Sequence, residues 1–240
     1  MQNASSVDAH ENGNGAMRAP ASVLWQLLTT VEGLRLTSIY PRGAAVFSQG
    51  EAAEGVYLLR SGRAKVSLSS AEGKTIILRV AGPGALLGVN SVLKRVPYDV
   101  TVETLERSRI DFVSRADFER VIEKSEAVRP SLAQFLADEL SDMIDCVRSL
   151  LLCQSAAEKF AALLLRLSNG TGTTTSGTRL NLGLTHEEIA QMICSSRETV
   201  TRLFAEFKRR QIVTLSNNTI VVSDRRALES LAGVTTTSSR

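Results

Sequence analysis

Three charged side chains lie close together toward the C-terminal end of this chain: Arg197, Glu198 and Arg202. An arginine can donate two parallel hydrogen bonds to the O6 and N7 edge of guanine. A glutamate can accept from the amine of cytosine. Such chemistry needs a rod that fits the major groove, and the flanking residues predict one. Val200, Leu203, Phe204 and Phe207 recur at helical spacing and form one buried stripe. Glu198, Arg202 and Arg209 fall on the opposite face. Arg197 stands in the first turn, the end of such a helix that meets base edges.

Signals for two helix starts frame this rod. Thr185 has Glu188 three residues on, the spacing of a capping box, and Ser195 with Glu198 repeats it ten residues later. That separation leaves room only for a short helix and a turn, so Leu184 to Arg210 predicts a helix-turn-helix. Ala190 is small enough for a close helix crossing, and Ile189 and Ile193 face inward. The turn carries Cys194 where glycine is common; a positive φ there strains the backbone by roughly 1–2 kcal/mol. Ser196 and Thr199 stand at a helix start and predict phosphate contacts. Thr185 and His186 are candidates for the same role. A plainer reading stands beside the base-contact one. Glu198 and Arg202 are four apart and could form only a surface ion pair of about 0.3–0.5 kcal/mol, or Glu198 could serve its cap alone.

The elements around this head are also legible. Ile212 to Leu215 and Thr219 to Val222 predict a hairpin turning at Ser216-Asn217-Asn218, the wing of a winged helix. Asp224 to Leu231 predicts a closing helix capped by Asp224. Upstream, from Ile39 to about Phe112, short β-rich runs alternate with glycines such as Gly43, Gly50, Gly62, Gly73 and Gly88. Ala64, Val66 and Leu68 alternate with Arg63, Lys65 and Ser67, as an antiparallel roll or barrel requires. The period then becomes helical. Ala116 to Lys124 is a short amphipathic helix. Ser125 to Cys153 is a long one, with Pro130 near its start. Within it Ala133, Leu136, Leu140, Met143, Val147 and Leu150 are spaced alternately three and four apart, an a/d seam that predicts pairing with a second copy. The alternative is that this stripe packs on its own roll. Ser155 to Leu167 is a further helix, and Ser168 to Thr178 reads as a flexible Gly/Thr-rich loop.

Composition bounds the rest. The chain has 240 residues and a net charge of +3, so two domains are expected and a polybasic coat protein is not. Basic residues gather locally at Arg197, Arg202, Lys208, Arg209 and Arg210. Cys146, Cys153 and Cys194 show neither a metal-ligand spacing nor a secreted framework. No metal or other cofactor is expected. Cys146 and Cys153, seven apart, are expected to share a face beside the seam as apolar filler, with a redox switch as the sharper alternative; for Cys194, in the turn that docks the reading helix, the same alternative is of more interest. Residues 1–20 are polar and lack the apolar core of a signal peptide. No apolar run is long enough to span a bilayer, so a cytoplasmic location without a membrane partner is expected. No paired catalytic groups converge and histidines number two, so an enzyme is not expected. The expected organisation is a tail over 1–20, a roll over 21–124 opening with a short helix that carries Trp25, a dimer helix over 125–154, a winged helix over 155–236 and a tail over 237–240.

This α+β order of parts, an N-terminal antiparallel β-roll, a long dimerisation helix and a C-terminal winged helix-turn-helix, resembles the CRP/FNR superfamily of bacterial transcription regulators. The likeness runs from about Tyr40 to Val222. It is carried by Gln49-Gly50-Glu51, by Val56 to Gly62, by Gly84-Ala85-Leu86-Leu87-Gly88 and most specifically by Ser196-Arg197-Glu198-Thr199-Val200-Thr201-Arg202. The resemblance implies a homodimer on double-stranded DNA with an inverted-repeat operator. Arg197 and Arg202 would read guanines and Glu198 a cytosine in a TGTGA-like half-site. It also implies RNA polymerase as partner if the protein activates, and a possible small-molecule effector. The effector pocket departs from the cyclic-AMP-binding pattern. Where those members carry Glu after Gly88, this chain has Val89; the Arg-Ser pair that clasps the cyclic phosphate matches Tyr98-Asp99; the adenine-contacting Thr and Ser match Met143 and Ile144. These departures argue against cyclic AMP. Iron–sulfur members use four cysteines, but this chain has three, all past residue 145. A haem ligand in the roll is lacking too, since His10 lies in the tail and His186 in the head. The alternatives are a nucleotide- or small-molecule-binding regulatory module, or a constitutive DNA binder without an effector.

Overall fold

The computed structural model describes residues 35–168, 173–174, 177–180, 183–216 and 219–233. The expected helix around Trp25, both tails and the Asn217-Asn218 turn lie outside the described residues.

The first part is a roll of two four-stranded antiparallel sheets. One has the order β1 (Arg35–Tyr40), β8 (Ser108–Ser114), β3 (Gly55–Ser61), β6 (Leu86–Leu87). The other runs β2 (Ala45–Phe47), β7 (Thr101–Thr104), β4 (Ala64–Ser69), β5 (Thr75–Ala81). Alternating apolar residues from both sheets, among them Leu58, Ile110 and Val102, meet in one core. The short α1 (Val89–Lys94) follows β6. Helix α2 (Arg115–Lys124) closes the end of the core with Phe118; its cap, the Ser114 hydroxyl, accepts from the Asp117 N–H at 3.2 Å.

The alternation expected along β4 runs unbroken against β7, but its pairing with β5 is irregular. The register of β4 against β5 passes from Val66–Arg79 to Ser67–Ile77, leaving Leu78 without an opposite residue. This β-bulge reverses the faces along β5, so that Ile77 lies opposite Ser67 on the outer face. Ser67 is buried on that face, and Leu68, expected inside, is exposed near the strand's end.

The long helix α3 spans Val128–Leu151, so Pro130 sits in its first turn, where its missing N–H costs no helical bond. Val128 and Leu132 pack into the roll core. Helix α4 (Ala156–Ser168) follows. The Gly/Thr-rich stretch expected to be a flexible loop instead contains β9 (Thr173–Thr174) and the start of β10 (Gly177–Leu180), paired antiparallel. Their β-branched threonines suit strands better than composition alone suggests. With β11 (Val213–Ser216) and β12 (Thr219–Val222) they form a sheet of order β11-β12-β10-β9, which carries the wing. Helices α5 (His186–Met192), α6 (Arg197–Arg209) and α7 (Arg225–Leu231) complete the head.

The head has its own core, in which Phe160, Leu164, Ile189, Val200, Phe207 and Leu228 are buried. Ile77 of β5 is fully buried in this second core rather than in the roll's own. The head is thus seated on the outer sheet of the roll. Lys65 of β4 reinforces the seat, bridging Glu103 at 2.9 Å and Glu188 of α5 at 3.1 Å. Among the described residues, no helix is long and apolar enough to cross a membrane.

Candidate nucleic-acid interface

The first helix of the head starts as its sequence requires. The Thr185 hydroxyl accepts from the Glu188 N–H at 3.1 Å, and the Glu188 carboxylate accepts from the Thr185 N–H at 2.8 Å, a complete capping box. The second start falls one residue later than expected. Ser196, not Ser195, caps α6 by accepting from the Thr199 N–H at 3.2 Å, and no box with Glu198 forms. Glu198 occupies the second helical position, and its carboxylate meets its own N–H and the Ser196 hydroxyl instead of the Ser196 backbone N–H.

Between the helices the Ser195 N–H donates to the Ala190 carbonyl at 2.9 Å while Cys194 holds φ at 51°. This is a Schellman closure with a cysteine at the left-handed position. The far end of α6 repeats it: Gln211 has φ 57° and the Ile212 N–H donates to the Phe207 carbonyl at 2.9 Å. Both ends of the reading unit therefore accept a strained non-glycine residue.

Val200, Leu203, Phe204 and Phe207 are buried, which turns the other face of α6 to solvent. Arg197, Glu198, Thr201, Arg202 and Arg209 are all exposed on it. No ion pair joins Glu198 to Arg202, so the plainer reading of these two as a surface pair does not describe the molecule. The first salt link on the helix is Arg210–Glu206 at 3.5 Å. The Glu198 backbone N–H, followed by the Ser196 hydroxyl, holds the Glu198 carboxyl below the ordinary glutamate value. At neutral pH it is an acceptor, as a cytosine amine requires.

Ser196 and Thr199 share a hydroxyl–hydroxyl hydrogen bond of 3.0 Å at the start of α6. His186 is more deeply engaged than expected. Its Nδ1 and the Thr201 Oγ1 share a hydrogen bond of 2.9 Å, and its ring stacks on Phe204 at 4.9 Å. It pins α5 to α6, and Thr185 is likewise committed to its capping box.

On α3 the expected seam divides. Leu136 packs against the roll core, with Phe135 beside it. Leu140, Met143 and Val147 are exposed, as are Ile144 and Leu151, giving an outward stripe Leu140–Ile144–Val147–Leu151. Ala133 is exposed and Leu150 half-buried. Ile144, expected in the effector pocket, therefore lies on this stripe. Cys146 is buried on the opposite side, donating its Sγ–H to the Leu78 carbonyl at 3.6 Å. Cys153 lies past the end of α3, so the two cysteines do not share a helical face. Burial pushes the Cys153 thiol up, and of the three only Cys194 is exposed.

Gly88, Val89, Asp99 and Met143 line a cavity of about 420 Å³ against α3. Tyr98 does not line it. Its ring is buried, stacks on Phe47 at 4.0 Å, and donates its hydroxyl to the Gly55 carbonyl at 2.6 Å. A Cβ at Gly88, where φ is 81°, would lie 2.8 Å from that ring. The Asp99 carboxylate accepts from Asn90 Nδ2 at 2.7 Å and from the Ser91 hydroxyl at 3.1 Å. Sequence reasoning missed Arg79, Glu139, Arg166 and Met192 on the cavity wall. The bulge that brings Leu78 and its neighbours there leaves no mark in the linear pattern. Among the described residues, no group of three or more His, Cys, Asp or Glu side chains could hold a metal ion.

An antiparallel roll, a long helix and a winged head whose second helix presents a basic row define a DNA-binding regulator class. Comparison with known proteins agrees in both halves. The family described as "Cyclic nucleotide-binding domain" matches residues 38–125, and that described as "Crp-like helix-turn-helix domain" matches 158–231. The chain is 28% identical over 190 residues to the CRP-like cAMP-activated global transcriptional regulator of Mycobacterium tuberculosis, covering 79% of this chain and 84% of the relative. It is 29% identical over 198 residues to the cyclic AMP receptor protein of Thermus thermophilus, covering 81% and 87%. Its fold is similar to that of FixK2 from Bradyrhizobium japonicum, with a TM-score of 0.72 at 21% identity over 82% of this chain and 96% of the other. A CooA mutant from Carboxydothermus hydrogenoformans gives 0.73 at 23% identity, over 87% and 95%. The chain belongs to the CRP/FNR superfamily and is a DNA-binding regulator of transcription.

Proposed function

We propose that the protein acts as a homodimer that reads an inverted-repeat operator with TGTGA-like half-sites, and that its activity does not depend on cyclic AMP. The observation that carries the reading is the exposed row Arg197, Glu198 and Arg202, whose side chains have no ion pair within the described head. Each is available for a base edge, Arg197 and Arg202 for guanine and Glu198 for cytosine. Ser196 and Thr199, at the start of the same helix, would contact phosphate; Thr185 and His186 would chiefly hold the two helices together. The exposed stripe along α3 supports pairing with a second copy, because apolar residues at heptad spacing seek a matching helix.

Independence from cyclic AMP is supported by two side chains. Tyr98 packs its ring on Gly88, and Asp99 places a carboxylate on Asn90 and Ser91, where an incoming phosphate would meet like charge. A change sensed at the roll would reach DNA through α3 and the Ile77–Lys65 seat by shifting the angle of the heads. RNA polymerase is the partner this role implies for an activator, and the cytoplasm its location. Of the three thiols, Cys194 is the one to which we assign any redox sensitivity, since it is exposed at the turn that sets α6.

The test is a gel shift on duplexes carrying an inverted TGTGA-like repeat or one half-site, with and without cyclic AMP. The reading expects a dimer-sized complex on the repeat, weak binding to the half-site and no response to the nucleotide. A complex that forms only with cyclic AMP would overturn the independence. Equal binding to both duplexes would overturn the dimer.

A further inference from the structure

His186 ties α5 to α6 through one edge of its ring, and the hydrogen on that edge is fixed by counting. The Thr201 hydroxyl has a single proton. It lies 3.0 Å from the Arg197 carbonyl, which only accepts, so the proton goes there. Toward His186, 2.9 Å away, the same oxygen is then an acceptor, and Nδ1 must carry the hydrogen. Neutral His186 is therefore the Nδ1–H tautomer, with its lone pair on Nε2. Among the described residues Nε2 has no hydrogen-bond partner.

Protonation changes only this second edge. The imidazolium keeps Nδ1–H on Thr201 and its ring on Phe204, and it gains an N–H and a positive charge at Nε2. With one face on Phe204 and the Nδ1 edge on Thr201, the half-buried ring is left with its Nε2 side for solvent. Thr201 lies on the exposed face of α6 with Arg197, Glu198 and Arg202, so the ring borders that row. The surrounding charges are engaged elsewhere or face solvent. On α5, Glu188 is held by Thr185 and by Lys65 of β4, and Glu187 is exposed. On α6, Arg197 and Arg202 are exposed, and Glu198 meets its own N–H and the Ser196 hydroxyl. On β5, which packs against α5, Arg79 is bound to Glu139 at 3.0 Å. Among the described residues no carboxylate pairs with His186, so a charge gained at Nε2 is answered by an anion from outside.

We infer that His186 is a proton-dependent phosphate contact. Neutral, it only pins the two helices; protonated, its Nε2–H donates to a phosphate oxygen of the bound duplex. The phosphates that flank the major groove are the anions nearest a reading helix seated in it. The inference rests on the reading of α6 as the DNA-contacting helix and adds a regulation to it. Affinity for DNA rises as pH falls through the range in which imidazole titrates.

The test titrates the full-length protein onto an inverted TGTGA-like repeat and onto an unrelated duplex, at about pH 8 and about pH 6 and over a series of salt concentrations. For the wild type, Kd should fall about fivefold or more on acidification, and the slope of log affinity against log salt should steepen by roughly 0.9 per chain. His186→Asn puts a neutral donor where Nδ1 stands, so it should keep the affinity found at the higher pH and lose both changes. His186→Arg, charged throughout, should abolish the pH dependence, and it decides the matter should the Asn variant not fold. His10→Asn, at the other histidine of the chain, should behave as wild type. In the free protein, nitrogen-15 shifts of the imidazole at the higher pH should report the Nδ1–H tautomer. The opposite tautomer, no gain in wild-type affinity on acidification, or the same gain in either His186 variant each overturns the inference. A gain on both duplexes with no preference for the repeat refutes the operator reading alone, whereas preference for the repeat with no gain refutes the proton-dependent contact alone.

Discussion

Arg202→Ala isolates the chemistry of the reading helix. The guanidinium is exposed on α6 and makes no ion pair among the described residues, so truncating it strands no buried group there. Alanine is also a strong helix former, and the fold should keep its stability within about 0.5 kcal/mol. The loss then appears only on DNA. A bidentate arginine–guanine contact is worth about 1–3 kcal/mol per half-site. A dimer makes it twice, about 2–6 kcal/mol in all, or roughly a 30-fold to 10⁴-fold rise in Kd. The assay is a fluorescence-anisotropy titration of a labelled operator at fixed salt, repeated with each base substituted at the matching position. Wild type should discriminate there and Arg202→Ala should not. Thr199→Ala is the contrast, since loss of the phosphate contact proposed for its hydroxyl should weaken all sequences alike and leave base preference intact. If Arg202→Ala binds the operator within threefold of wild type with its base preference intact, the guanine assignment is wrong.

Leu140→Glu places a charge in the exposed α3 stripe and should yield monomers in sedimentation analysis with only weak half-site binding; an unchanged dimer refutes the pairing of these helices. Cys194→Gly relieves a left-handed residue at φ 51° and should raise stability by about 0.5–1 kcal/mol in chemical denaturation, after the greater freedom of glycine in the unfolded chain is subtracted; a loss of stability contradicts the strain argument. Burial pushes the Glu188 carboxyl up, but the Thr185 N–H and Lys65 outweigh it and hold it below its ordinary 4.5. A depressed carboxyl contributes stability above its unfolded pKa and loses it as pH falls through the folded pKa. Glu188→Gln should therefore destabilise at neutral pH and flatten the stability profile from about pH 5 downward; parallel profiles for variant and wild type would remove this site from the acid response.

The parts of the molecule governed by local spacing were legible in the sequence. The Thr185–Glu188 box, the Asp224 cap and the buried stripe of α6 each depend on residues within two turns of one another. What escaped depends on partners far along the chain. The bulge at Leu78 is a property of the β4–β5 pairing, and it turned Ile77 outward opposite Ser67. Periodicity showed that α3 has an apolar face, but not that Leu136 belongs to the roll while Ile144 belongs to the outward stripe. The seating of Ile77 in the head's core left no local signal, because a buried isoleucine in a strand looks the same whichever core receives it. The effector site was legible only as departures from a resemblance; that Tyr98 and Asp99 have internal partners required coordinates.

The most direct measurement is selection of bound duplexes from a random library by the full-length protein, followed by footprinting of the winners. The account predicts an inverted repeat whose half-sites lie about one helical turn apart, each with guanine and cytosine positions that Arg202→Ala or Glu198→Ala relaxes. Recovery of no shared sequence, or of a motif without two-fold symmetry, would contradict it.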